Sequence, residues 1–153
     1  MPPLLVEREK GKGKVTFTLL PQFELEDYTM TIIEAINRTD RIKPNTYSNS
    51  DKVRWLSNLD GVVKNEIIDT HEGGEDVRFE GYNDETLLAT ELLIPAPYDE
   101  VYIRYLEMQI DYANGEYGKY NNSTIAYNTA FSAFEKYYNR EHTPRSYGQR
   151  FLF

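Results

Sequence analysis

The sequence predicts a mainly α-helical protein: a small bundle of about four helices, with a long loop or β-hairpin insertion and extended arms at both ends. Three observations point there. Apolar residues recur at spacings of three and four in four separate stretches, which is the period of one helix face. Proline or glycine interrupts the chain between those stretches, at Pro44, Gly73-Gly74, Pro95, Pro97 and Gly115. The 153 residues include no cysteine, so neither disulfides nor thiolate-held metal can staple the chain, and apolar packing must stabilise it.

Residues 1–29 read as an arm. Met1–Glu7 has a short apolar stretch with no basic segment before it and does not read as a signal peptide. Arg8–Lys14 is charged and glycine-rich and is expected to be mobile. Val15-Thr16-Phe17-Thr18-Leu19 alternates like a strand and ends at Pro21. It has no obvious partner in its own chain, which would leave it open to a neighbouring subunit.

The first helix is expected from Met30 to about Thr39, on the stripe Ile32, Ile33 and Ile36. Thr29 or Thr31 caps it, with Glu34 in capping-box position to Thr31. The second runs from about Asn49 to Thr70, with Ser48 and Asp51 as its opening signal. Val53, Leu56, Leu59 or Asp60, Val63 and Ile67 trace one face, widened by Trp55 and Val62. Gly61 weakens its middle by about 1 kcal/mol, and Gly73-Gly74 stops it. Residues 73–98 are irregular. Val77–Glu80 suits a short strand, Gly81–Asp84 a turn, and Leu87–Ile94 a strand or buried extended segment.

The third helix opens at Tyr98-Asp99-Glu100, with acids where the helix dipole prefers them. Tyr102, Tyr105, Leu106, Gln109, Ile110 and Ala113 follow at helical spacing. After Asn114-Gly115 the fourth starts near Tyr120 or Asn121. Tyr120, Thr124, Tyr127, Phe131, Phe134 and Tyr138 form its aromatic stripe, and Ala126, Ala130 and Ala133 a second, small-residue face. The short join predicts an antiparallel hairpin. Residues 30–143 thus form one helical domain, and residues 144–153 a tail.

The formal net charge of −8 argues against gripping phosphate backbones, which takes clustered Lys and Arg. No apolar run approaches a membrane span. Thirteen tyrosines against seven phenylalanines and one tryptophan fit either an assembly surface or a wet, half-buried helical one. No phosphate-binding glycine loop or nucleophile elbow occurs, and Gly11-Lys12-Gly13-Lys14 is not followed by a helix. His71 and His142 sit at expected helix ends, where the dipole favours them. Glu66 and Asp69 share one helix face, as do Glu107 and Asp111. Such pairs on facing helices hold magnesium in all-α nucleotide pyrophosphohydrolases, although a solvated acidic face is the simpler expectation. No catalytic residue, metal or cofactor is assigned. The tail is the least ordinary feature: Arg145, Tyr147, Arg150, Phe151, Leu152 and Phe153 combine the Arg and aromatic types that anchor interfaces, and they are expected to dock on a partner.

Five segments carry a resemblance. They are Lys52–Gly61 (KVRWLSNLDG), Glu91–Asp99 (ELLIPAPYD), Gln109–Tyr117 (QIDYANGEY), Tyr120–Ser123 (YNNS) and Tyr137–Pro144 (YYNREHTP). Together they resemble small head–tail connector (adaptor, or head completion) proteins of siphophages and prophages of Gram-positive bacteria. The resemblance implies a virion protein of the phage neck, made in the host bacterial cytoplasm. It implies a homo-oligomeric ring, commonly of about twelve copies, beneath the portal protein. Its extended termini would clasp the portal or a stopper or tail protein, and genomic DNA would only pass through. The resemblance covers Met30–Phe153, so residues 1–29 are either an added arm or translation from an upstream start. It names no catalytic residue. A tail-assembly chaperone that stays out of the virion is the other non-enzymatic alternative.

Overall fold

The computed structural model describes residues 5–10, 14–19 and 28–146. Strand β1 (Leu5–Lys10) pairs antiparallel with β2 (Lys14–Leu19), Leu5 opposite Leu19 and Lys10 opposite Lys14. The strand expected to lack a partner therefore has one in its own chain, and residues 8–10 are part of it rather than of a mobile stretch. The first apolar run supplies the missing half, and the three residues between the strands are a common hairpin spacing.

Strand β3 (Thr29–Thr31) leads into helix α1 (Ile32–Ile42) and pairs antiparallel with β4 (Glu91–Pro95). Thr31 caps α1 as expected: its Oγ1 accepts from the Glu34 N–H at 3.3 Å, and the Glu34 carboxylate accepts from the Thr31 N–H at 2.9 Å. Helix α2 (Asn49–Val62) is capped by Ser48, whose Oγ accepts from the Asp51 N–H at 3.1 Å. The expected single helix to Thr70 is continuous in path but not in hydrogen bonding. It widens into a π turn over Val63–Ile67 and tightens into a 3-10 turn over Ile68–Thr70. The wide turn shifts the helical phase, and Val63, Ile67 and Ile68 are all buried.

Val77–Glu80 forms no strand. The loop after Gly74 lies along α2 instead, the Tyr82 N–H bonded to Ser57 Oγ at 2.9 Å and Asp84 to Ser50. A Cβ added at Gly61 would meet only the Phe79 ring, at 3.7 Å. Gly61→Ala should therefore raise stability by about 1 kcal/mol through helix propensity, read as a higher denaturation midpoint.

Helix α3 (Glu100–Ala113) and helix α4 (Tyr117–Glu141) form the antiparallel hairpin. Ring pairs mark its register: Tyr98 on Tyr137 at 4.5 Å, Tyr105 on Tyr127 at 5.3 Å and Tyr112 on Tyr120 at 5.4 Å. Helix α4 starts a turn earlier than expected. Gly115, at φ 72°, takes the left-handed conformation that reverses the chain cheaply. The core lies between α1, α2, α3 and β4, with Met30, Ile36, Leu56, Ile94, Leu106 and Ile110 all but fully buried. From α4 only Phe134 and Tyr138 are buried. No helix among the described residues is long and apolar enough to cross a membrane.

Candidate functional site

Asp60 lies on the inner face of α2 with no exposed surface. A buried carboxylate is costly unless its lone pairs are matched, and here they are. Oδ1 accepts from the Tyr102 hydroxyl at 2.6 Å. Oδ2 accepts from the Tyr82 hydroxyl at 2.6 Å and from the Leu93 N–H at 3.2 Å. Tyr102 Oη in turn accepts from the Ile94 N–H at 2.7 Å. One side chain thus ties α2 to the loop, to β4 and to α3. Burial pushes the Asp60 carboxyl up to about 6, against the opposing pull of the two tyrosines. Burial, and then the adjacent carboxylate, push the Tyr82 and Tyr102 hydroxyls upward, so both remain donors.

Two other buried charges, Lys52 and Asp111, have partners of opposite sign. Lys52 is 2% exposed, and its Nζ lies 2.8 Å from Asp40 Oδ1. Asp111 is fully buried and is held by Lys43 from the end of α1 and by Ser123 from α4. Of the four carboxylates with magnesium-site spacing, Asp69 pairs with Lys64, Glu107 with Arg104 and Asp111 with Lys43. Among the described residues no group of three or more His, Asp or Glu side chains is placed to hold a metal ion.

The two histidines behave differently from each other. His142 follows the capping expectation: its Nδ1 lies 3.2 Å from the Tyr138 carbonyl, and its ring stacks on Tyr138 at 3.8 Å. His71 also closes a helix end, as the C-cap of the 3-10 turn, but does so inside the core. It is 4% exposed, its Nδ1 lies 2.7 Å from the Ile67 carbonyl, and its ring meets Tyr138 edge-on at 5.0 Å. The extra helical turns after Val62 carry it inward.

Of the expected docking residues, Arg145 is held by its own chain. Its N–H bonds the Thr70 carbonyl at 2.9 Å, its Nε bonds the His71 carbonyl at 3.1 Å, and its guanidinium pairs with Glu75. Tyr147, Arg150, Phe151, Leu152 and Phe153 lie outside the described residues.

Comparison with protein-family models, with curated proteins and with solved structures gives no match.

The turn end of the α3–α4 hairpin forms a surface that the helical periodicity did not single out. Tyr112 is 58% and Tyr117 65% exposed, their rings 6.5 Å apart. Tyr47 joins them by donating to Asn114 Oδ1 at 2.7 Å, and its ring meets Trp55 at 5.7 Å. The signal was present in Tyr112, Asn114 and Tyr117, which flank a turn glycine rather than a core stripe. Exposed tyrosines held by one another and by hydrogen bonds lose little freedom on binding, which favours them at contact surfaces.

Proposed function

We propose that the chain is a structural subunit of a phage neck, a head–tail connector that assembles as a ring and joins the portal to the tail or stopper around the DNA conduit. The observation that carries this reading is how four of the five resemblance segments divide in space. Lys52–Gly61 and Glu91–Asp99 supply Asp60, Leu93 and Ile94 to the buried carboxylate hub. Tyr137–Pro144 packs around His71. Gln109–Tyr117 contributes Asp111 to the core but leaves Tyr112 and Tyr117 exposed. That division suits a rigid framework presenting an aromatic contact surface. The net charge of −8 suits a wall past which DNA slides without sticking.

The tail test follows from Arg145. A chain ending at Ser146 keeps every Arg145 contact found among the described residues, so its unfolding midpoint should match that of the full chain. It should fail to join particles, because Tyr147, Arg150 and Phe151–Phe153 are gone. Truncated subunits found in particles at the full-length level would remove the docking role of the tail.

A further inference from the structure

A groove of about 590 Å³ between α1 and the start of α3 is lined by Arg38, Arg41, Ile42, Asp99, Ile103 and Arg104, among others. Arg104 is committed to Glu100 and Glu107. No ion pair among the described residues engages Arg38 or Arg41, and both are exposed. Ile42 beside them is 59% exposed. Within an acidic chain, this is an apolar residue beside two exposed arginines that make no salt bridge among the described residues, although Arg38 lies close enough to favour the charged forms of Glu34 and Asp99 and Arg41 Nε donates to the Asn37 carbonyl.

The opposite arrangement occurs on the loop over α2. Between Glu80 and Glu91 the sequence holds Glu80, Asp84, Glu85 and Glu91 and no lysine or arginine. All four acids are exposed, and Leu87 among them is 77% exposed. This is an apolar residue flanked by anions.

We propose that the 80–91 loop of one copy docks into the Arg38–Arg41 groove of the next, with Leu87 against Ile42 and Glu85 and Glu91 facing the arginines. The inference rests on the ring reading and names its subunit contact. A second copy is the occupant that charge selects. Copies of net charge −8 repel unless surfaces of opposite sign face each other. Groove against groove and loop against loop both place like charges together. Groove against loop is the attractive pairing; made once per copy it is a heterologous contact that generates rings or filaments, whereas made reciprocally it closes a two-fold dimer, so sedimentation must show species larger than a dimer.

The test is sedimentation of the purified full chain and of two double variants, Arg38→Glu/Arg41→Glu and Glu85→Arg/Glu91→Arg, with circular dichroism to verify folding. The unaltered chain should self-associate, and raising salt from about 50 to about 500 mM should weaken that at least tenfold. Each double variant alone should stay monomeric, because its groove and loop carry the same sign. An equal mixture of the two should associate again, since each groove then meets a loop of opposite sign. A chain that is monomeric at low salt, or variants that associate as the parent does, would overturn the contact. So would a groove variant that fails to join particles yet self-associates normally, because the groove would then belong to a neighbouring protein. Rings insensitive to both reversals would leave the neck reading standing without this contact. Charge-sensitive association of a chain missing from particles would do the reverse.

Discussion

Asp60→Ala should lower stability by about 1–3 kcal/mol at neutral pH, a large share of what a domain of this size has. The substitution removes the acceptor for the Tyr82 and Tyr102 hydroxyls and the Leu93 N–H at once. Tyr102 is fully buried and has no water to turn to, so its orphaned donor bears the full desolvation cost. Asp60→Asn separates geometry from charge. The Asp60 carboxyl is raised from 3.8 to about 6 by burial, so the folded state holds the proton more tightly than the unfolded chain does. The stability from that proton is complete below the unfolded value near 3.8 and is lost as pH rises through about 6. At about 1.4 kcal/mol per unit, the loss is about 3 kcal/mol. Denaturant titrations of the parent and of Asp60→Asn at pH 4 and pH 7 should show the parent losing about 2 kcal/mol more than the variant, because at pH 4 the unfolded chain has already released part of that proton. Parallel pH profiles would mean that Asp60 is not a desolvated carboxyl.

Phe134→Ala should cost about 3–5 kcal/mol. Phe134 is 1% exposed and sits in a chain of rings, 5.9 Å from Tyr138, 6.4 Å from Tyr98 and 6.5 Å from Phe131. It is one of the two buried residues of α4, so its loss should loosen the seating of α4, which Tyr127, Phe131 and Tyr137 still pack against the core. The aromatic stripe alone would rank Phe131 and Phe134 as equals. Phe131 is only half-buried, so Phe131→Ala should cost less than half as much. Chemical denaturation of the two variants side by side checks the ranking, and equal losses would contradict the packing described for α4.

The four helices were legible because their signals are local. Thr31 with Glu34 and Ser48 with Asp51 act within one turn, and the stripes on α3 and α4 repeat at fixed spacing. What escaped the sequence depends on partners far along the chain. The β1 strand looked like part of a charged arm because its hydrogen-bonding partner, β2, was the only reason for it to be extended. Asp60 was placed on the apolar face of α2 only as an alternative to Leu59, because nothing near it forecasts Tyr82, Leu93 and Tyr102. The change of helical phase after Val62 has no marker that a periodicity count detects, and with it His71 caps the helix end from inside the core rather than from solvent. The carboxylate pairs show the converse failure. Their spacing was read correctly, but spacing is blind to the lysines and arginine that the fold sets beside Asp69, Glu107 and Asp111.

A head–tail connector, as proposed for this chain, is a stoichiometric part of the particle. The most direct measurement is its copy number in purified particles, by quantitative mass spectrometry against the portal protein. A connector ring of about twelve copies seated on a portal of equal copy number gives a ratio near one to one, which is the expected result. A chain absent from particles, or present far below the portal, would contradict it.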